Sequence, residues 1–273
     1  MKQIDNFDGN LHYRLYSNIG KIIHPTISKN NISSYKVVLS EEVLPVRIFY
    51  PERVSKIEKI IIYIHGITNI SSCNNYASFC SGIAVKTKSL VIALDYDESD
   101  SYLDCLDSCF KTYNFLKEEL IKADISSSNI ALMGDSIGAN MVLGINRLSK
   151  EVVNKSIVIS PIIGKDVLDD VSMSKNDRYN LELISKVQRY YKKNVSSKDI
   201  NNYLIFPELN KEKFKSDILF IVGEMDIFRE KALEYCNFVE GKSLVLELAN
   251  HNFFKNMDFS TDKLFYDNLY SFL

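Results

Sequence analysis

Asn129-Ile130-Ala131-Leu132-Met133-Gly134-Asp135-Ser136-Ile137-Gly138-Ala139-Asn140 is a short apolar run that breaks at a glycine and restarts as a helix-compatible segment. The change predicts a strand, a sharp turn and a helix. Inside it, Gly134-Asp135-Ser136-Ile137-Gly138 has the G-x-S-x-G spacing, in which a serine sits on a strained turn at the carboxyl end of a strand and lifts its hydroxyl clear of the backbone. A Cβ at Gly134 or Gly138 would collide with the neighbouring strand or helix where the chain reverses so tightly, and glycine tolerates backbone angles that other residues resist. The following helix points its positive end at Ser136, which favours negative charge developing there.

The 273 residues suffice for one large α/β domain, expected to span 1–273. A hydrophobic fraction of 46% and a net charge of −2 are those of an ordinary globular chain and give no nucleic-acid footprint. The first residues, Met1 to Asp8, lack the apolar core of a secretory signal. The longest apolar run, near Ile60 to Ile67, is far short of the roughly 18 residues a membrane helix needs. A cytoplasmic location without a membrane span is therefore expected. Cys73, Cys80, Cys105, Cys109 and Cys236 form an odd set with no C-x-x-C pair, which predicts reduced, buried thiols and no zinc site.

Residues 1–32 hold apolar side chains at loosely helical spacing, predicting one or two helices packed across the body. Tyr35 to Leu39 and Val43 to Pro51 read as two strands of a hairpin. Lys59 to Gly66 is an almost continuous β-branched run, as a strand buried on both faces of a parallel sheet requires, and Leu90 to Tyr96 repeats it after a helix-length interval. Tyr102 to Ala123 keeps the helical period. Past the elbow come a strand at Ser156–Ile163 and a charged, tyrosine-rich stretch from Lys165 to Lys215 that reads as an inserted cap, partly helical around Leu181–Tyr191. A strand at Asp217–Gly223, a helix at Arg229–Val239, a strand at Ser243–Leu248 and a helix at Thr261–Leu273 close the pattern. This alternation predicts a doubly wound α/β fold with a mostly parallel central sheet flanked by helices and ligands beyond the carboxyl ends of its strands.

Three polar residues fall just past those strand ends: Ser136, Asp226 in Gly223-Glu224-Met225-Asp226, and His251. A serine hydroxyl is a poor nucleophile until a base takes its proton, and the base works best when a carboxylate fixes its tautomer and stabilises the imidazolium. The chain has four histidines. His12 and His24 lie in the amino-terminal segment and His65 precedes the serine, so His251 is the expected base. Asp226 is the expected acid, with Glu224 and Glu230 as neighbouring alternatives; it could equally cap the helix near Arg229.

The set Ile64-His65-Gly66, Leu94-Asp95-Tyr96, Gly134-Asp135-Ser136-Ile137-Gly138-Ala139-Asn140, Ser160-Pro161, Gly223-Glu224-Met225-Asp226 and His251-Asn252-Phe253 resembles the hormone-sensitive-lipase-like branch of the α/β-hydrolase fold. The resemblance runs from about residue 35 to the end. It implies Ser136 as nucleophile, Asp226 as acid, His251 as base and a small helical cap, here about 1–32 and 165–215. The branch usually carries His-Gly-Gly-Gly where this chain has His65-Gly66-Ile67-Thr68, so the oxyanion donors implied are the amides of Ile67, Thr68 and Ile137, with His65, Gly66, Gly134, Asp135 and Gly138 in support. Side chains at Ile67 and Thr68 narrow the pocket and restrict the loop. A second departure is Asp95-Tyr96-Asp97-Glu98, where the branch commonly has Asp-Tyr-Arg-Leu-Ala-Pro-Glu.

The expected function is hydrolysis of a small acyl ester through an acyl-enzyme, with a small-molecule partner, no cofactor and no metal. A homodimer is compatible with the sequence. The alternatives are a non-hydrolytic or nearly inactive ligand-binding homologue, or an amidase, formamidase, thioesterase or deacetylase using the same three residues.

Overall fold

A computed structural model of the chain describes residues 22–27, 33–37, 42–51, 57–67, 76–169, 178–255 and 259–273. In chain order these hold β1 (Ile22–Ile27), β2 (Ser33–Val37), β3 (Val46–Phe49), β4 (Lys59–Ile64), α1 (Ala77–Thr87), β5 (Ser89–Leu94), α2 (Tyr102–Lys122), β6 (Ile130–Asp135), α3 (Ile137–Leu148), β7 (Lys155–Ile159), α4 (Arg178–Asn194), β8 (Asp217–Gly223), α5 (Arg229–Phe238), β9 (Lys242–Leu246) and α6 (Phe259–Phe272). The strands form one nine-stranded sheet in the order β1-β2-β3-β5-β4-β6-β7-β8-β9. Every pairing from β5 through β9 is parallel, whereas β1, β2 and β3 join antiparallel at one side. This is the mostly parallel α/β sheet that the alternation predicts, in the α/β-hydrolase arrangement that the motif resemblance implies.

Both faces of the central strands are covered, which is why those strands read as continuous β-branched runs. Ile60, Ile62 and Ile64 of β4 face the cluster that holds α2, α3 and α5, while Ile61 and Tyr63 face α1 and α6. Helix α2 starts where expected because the Ser101 hydroxyl accepts from the Asp104 amide at 3.2 Å and donates to its carboxylate at 2.6 Å.

Several boundaries differ from the sequence reading. Residues 22–27, expected within helices of a cap, form an edge strand of the sheet, with Ile22 opposite Val37 and Ile27 opposite Ser33. The antiparallel ladder satisfies their backbone groups and overrides a weak helical period. The remainder of 1–32 lies outside the described residues. Strand β7 stops at Ile159 because Ser160 takes φ 47° and Pro161 has no amide to donate. Strand β9 stops at Leu246, shortly before Leu248 turns at φ 55°. The long connection between β7 and β8 carries α4, three residues longer at each end than the Leu181–Tyr191 helix expected there.

Candidate active site

Ser136 occupies the turn between β6 and α3 with φ 52° and ψ −120°, a conformation that L-residues rarely hold and that costs about 1–3 kcal/mol. Its neighbours enforce it. The Ser136 amide donates to the Ile159 carbonyl at 2.8 Å, pinning the turn to β7. A Cβ on Gly134 would lie 2.6 Å from the Gly138 carbonyl oxygen, and one on Gly138 would overlap the carbonyl oxygens of Ile64 and His65. No side chain fits at either position, so helix α3 can cross directly over β4. Ser136 is left as the residue preceding α3, with its hydroxyl on a cavity and the first free amides of the helix beside it.

The structure brings Asp226 and His251 to this serine from two further strand ends. His251 Nε2 lies 3.1 Å from Ser136 Oγ, and His251 Nδ1 lies 3.0 Å from both carboxylate oxygens of Asp226. Burial alone would raise the Asp226 pKa, but the facing His251, the Phe228 amide at 3.0 Å and the nearby Ser160 hydroxyl outweigh it and hold the carboxyl below its ordinary range. That Ser160 hydroxyl favours the ion by proximity, without meeting hydrogen-bond geometry to any described partner. An ionised carboxylate only accepts, so Nδ1 carries the proton and Nε2 is free to take one from Ser136. The Phe228 ring meets the imidazole edge-on at 5.3 Å between centroids and shields it.

Asp226 faces both the start of α5 and His251. It accepts from the Phe228 amide just ahead of α5 and from His251 Nδ1. Of the alternatives, Glu224 instead accepts the Leu248 amide at 2.9 Å, and Glu230 is 90% exposed beside Arg229. The loops bearing acid and base are laced together, since the Glu224 amide donates to Leu246 and the Met225 amide to Ala249, both at 2.8 Å.

Opposite them runs the loop after β4. The buried Asp135 carboxylate accepts from the Gly66 amide at 2.9 Å and from the Tyr63 hydroxyl, so the residue preceding the serine also fastens this loop. His65 is fully buried, stacked on Tyr96 at 4.3 Å and on Tyr76 at 5.4 Å. Its Nδ1 donates to the Gly66 carbonyl at 2.8 Å, and desolvation pulls its pKa down to about 4 despite that bond and the charge of Asp95, so the ring is neutral. His65 thus holds the Gly66 carbonyl of this loop. Ile67 lines the cavity with Ser136 and His251; Ile137 opens α3; Thr68 lies outside the described residues.

The cavity measures about 160 Å³ and is walled on its far side by Tyr179, Glu182, Leu183, Lys186 and Val187 of α4. Lys186 Nζ donates to the Ile67 carbonyl at 3.2 Å. The Tyr179 hydroxyl meets Asn250 at 3.3 Å and Asn252 at 3.0 Å, on either side of His251. Below the elbow, the buried Asn140 amide donates to the Ile162 carbonyl at 2.5 Å and accepts from the Ile162 amide at 2.9 Å, tying α3 to the connection that leads to α4. Sequence reasoning missed Tyr63, Tyr179 and Lys186. Nothing local marks Tyr179 and Lys186, because lysine and tyrosine in a charged stretch look the same whether they face solvent or a cavity, and Tyr63 is read simply as one more member of the apolar run of β4.

Among the described residues no His, Cys, Asp and Glu cluster could hold a metal ion, and no helix is long and apolar enough to cross a membrane. Cys105, Cys109 and Cys236 are buried free thiols, Cys80 is buried as well, and Cys73 lies outside the described residues.

No curated protein matches the sequence. Solved structures similar in fold include an arylesterase, at 16% identity over 96% of this chain and 89% of that one with a TM-score of 0.72. The thermophilic carboxylesterase EstE1 from a metagenomic library matches at 16% identity over 96% and 94%, TM-score 0.73. The Francisella virulence factor BioJ matches at 20% identity over 97% and 88%, TM-score 0.68. The family described as alpha/beta hydrolase fold matches residues 61–253, a span that runs from β4 through the elbow to the loop bearing His251. With more than half of its length matched, the chain belongs to the α/β-hydrolase fold family, as its hormone-sensitive-lipase-like motifs imply.

Proposed function

We propose that this chain is a serine hydrolase that cleaves small acyl esters. The observation that carries the reading is the continuous hydrogen-bonded line Asp226–His251–Ser136, ending at a strained serine on a cavity wall. Ser136 Oγ attacks the acyl carbon while its proton passes to His251 Nε2. Asp226 stabilises the imidazolium through Nδ1. The amides of Ile67, Thr68 and Ile137 receive the oxyanion, helped by the positive end of α3. The protonated His251 then gives its proton to the departing alcohol, leaving an acyl-Ser136 that water hydrolyses by the same steps.

The segment 165–215 serves as the cap, with α4 closing the cavity. A volume of about 160 Å³ is small beside the roughly 300–1,000 Å³ of ordinary ligand pockets, which favours a short acyl group. The buried free thiols of Cys105, Cys109 and Cys236 suit the cytoplasm.

Intact-mass spectrometry after fluorophosphonate treatment tests the reading. A single adduct on the wild-type chain that is absent from Ser136→Ala, with turnover of p-nitrophenyl acetate lost in parallel, is the expected result. An unlabelled but folded wild-type chain would overturn it.

A further inference from the structure

The loop after β4 departs from its family pattern at Ile67, a β-branched residue with less backbone freedom than glycine. Such a loop needs its peptide planes held from outside if its amides are to face a developing charge. Three backbone groups in succession are held. The Gly66 amide donates to Asp135, the Gly66 carbonyl accepts from His65, and the Ile67 carbonyl accepts from Lys186. The first two partners sit in the elbow and at the end of β4. The third comes from α4, 119 residues away in sequence.

We infer that Lys186 is a positioning residue for the acylation step, fixing the oxyanion loop from the cap through its bond to the Ile67 carbonyl. This rests on the hydrolase reading above. A peptide unit is planar and rigid, and the Ile67 amide shares its unit with the Gly66 carbonyl that His65 holds; with Lys186 on the next carbonyl, Ile67 is gripped on both sides. The ammonium also places a positive charge against the loop that receives the oxyanion. Lys186 is half-buried in the wall of the cavity that holds Ser136, where screening by water is reduced. Helix α4 therefore sets the geometry of the reaction as well as the shape of the pocket. Preorganised donors act on the transition state and leave ground-state binding largely unchanged.

The test compares wild type, Lys186→Met, Lys186→Gln and Lys186→Arg, each checked for an unchanged near-ultraviolet spectrum; two neutral variants are used so that one folded variant suffices. The readouts are the fluorophosphonate acylation rate, kcat and KM for p-nitrophenyl acetate, and inhibition by phenylboronic acid, whose tetrahedral adduct places an oxygen in the oxyanion position. The neutral variants are expected to lose about 10–100-fold in acylation rate and kcat, less than the roughly 10²–10³-fold of deleting a donor outright. Boronate affinity should fall in step, with KM within about twofold and Lys186→Arg within about threefold of wild type. Acylation of a folded neutral variant at the wild-type rate, or a change in KM alone, would overturn the assignment while leaving the hydrolase reading intact. An unlabelled wild-type chain would overturn both.

Discussion

Acid should weaken this protein through His65 before its carboxylates titrate. The ring is fully buried between Tyr76 and Tyr96, and desolvation lowers its pKa from 6.5 to about 4. Below pH 6.5 the unfolded chain binds a proton at this position that the folded chain refuses until about pH 4. The unfolded state then holds more protons, so stability must fall as pH drops through that window and is fully present above it. At about 1.4 kcal/mol per pH unit, the loss between pH 7 and pH 4 comes to roughly 3 kcal/mol, a large part of the stability of an ordinary domain. Urea unfolding at pH 7, 5.5 and 4 measures it, with His65→Asn as the reference because its side-chain amide keeps a donor for the Gly66 carbonyl and does not titrate. The wild-type free energy should fall by about 3 kcal/mol more than that of the variant. Profiles that run parallel to within about 1 kcal/mol would refute the claim that His65 is held neutral by burial.

Two further substitutions probe the site and its support. Asp226→Asn keeps the size of the side chain but offers His251 Nδ1 a donor or a weaker acceptor, so kcat for p-nitrophenyl acetate should fall by about 10⁴-fold in a folded protein; a loss below about tenfold would show that Asp226 does not set the tautomer. Asn140→Ala strands the buried amide and carbonyl of Ile162, each worth about 1–3 kcal/mol, so urea unfolding should show a loss of about 3 kcal/mol, and one under about 1 kcal/mol would mean that water replaces the side chain.

The elbow and the alternation of strands and helices were legible because both are local. Gly134, Ser136 and Gly138 lie within five residues, and their steric need follows from spacing alone. Asp226 and His251 were readable one step further out, from strand ends in the right order. What stayed hidden depends on contacts between distant parts of the chain. Residues 22–27 gain their strand conformation from pairing with β2, so their own spacing misled, and Pro25 among them gave no strand signal. Lys186 and Tyr179 gain meaning only once α4 is laid across the cavity. Asp135 was legible as a motif position, but its bonds to Tyr63 and Gly66 join two strand ends that no spacing rule connects.

The four buried cysteines give the fold an internal gauge of its own breathing. Cys80 packs with α1 on one face of the sheet, while Cys105 and Cys109 of α2 and Cys236 of α5 pack on the other. Burial pushes Cys105 up to about 12 and Cys236 up to about 11, and lifts Cys109 as well. Since only an exposed thiolate reacts, a thiol reagent reaches each sulfur only when its own helix lifts from the sheet. The two faces can therefore be timed separately in the native protein, with no engineered probe, and the face that loosens first identifies which layer of helices governs the lifetime of the fold.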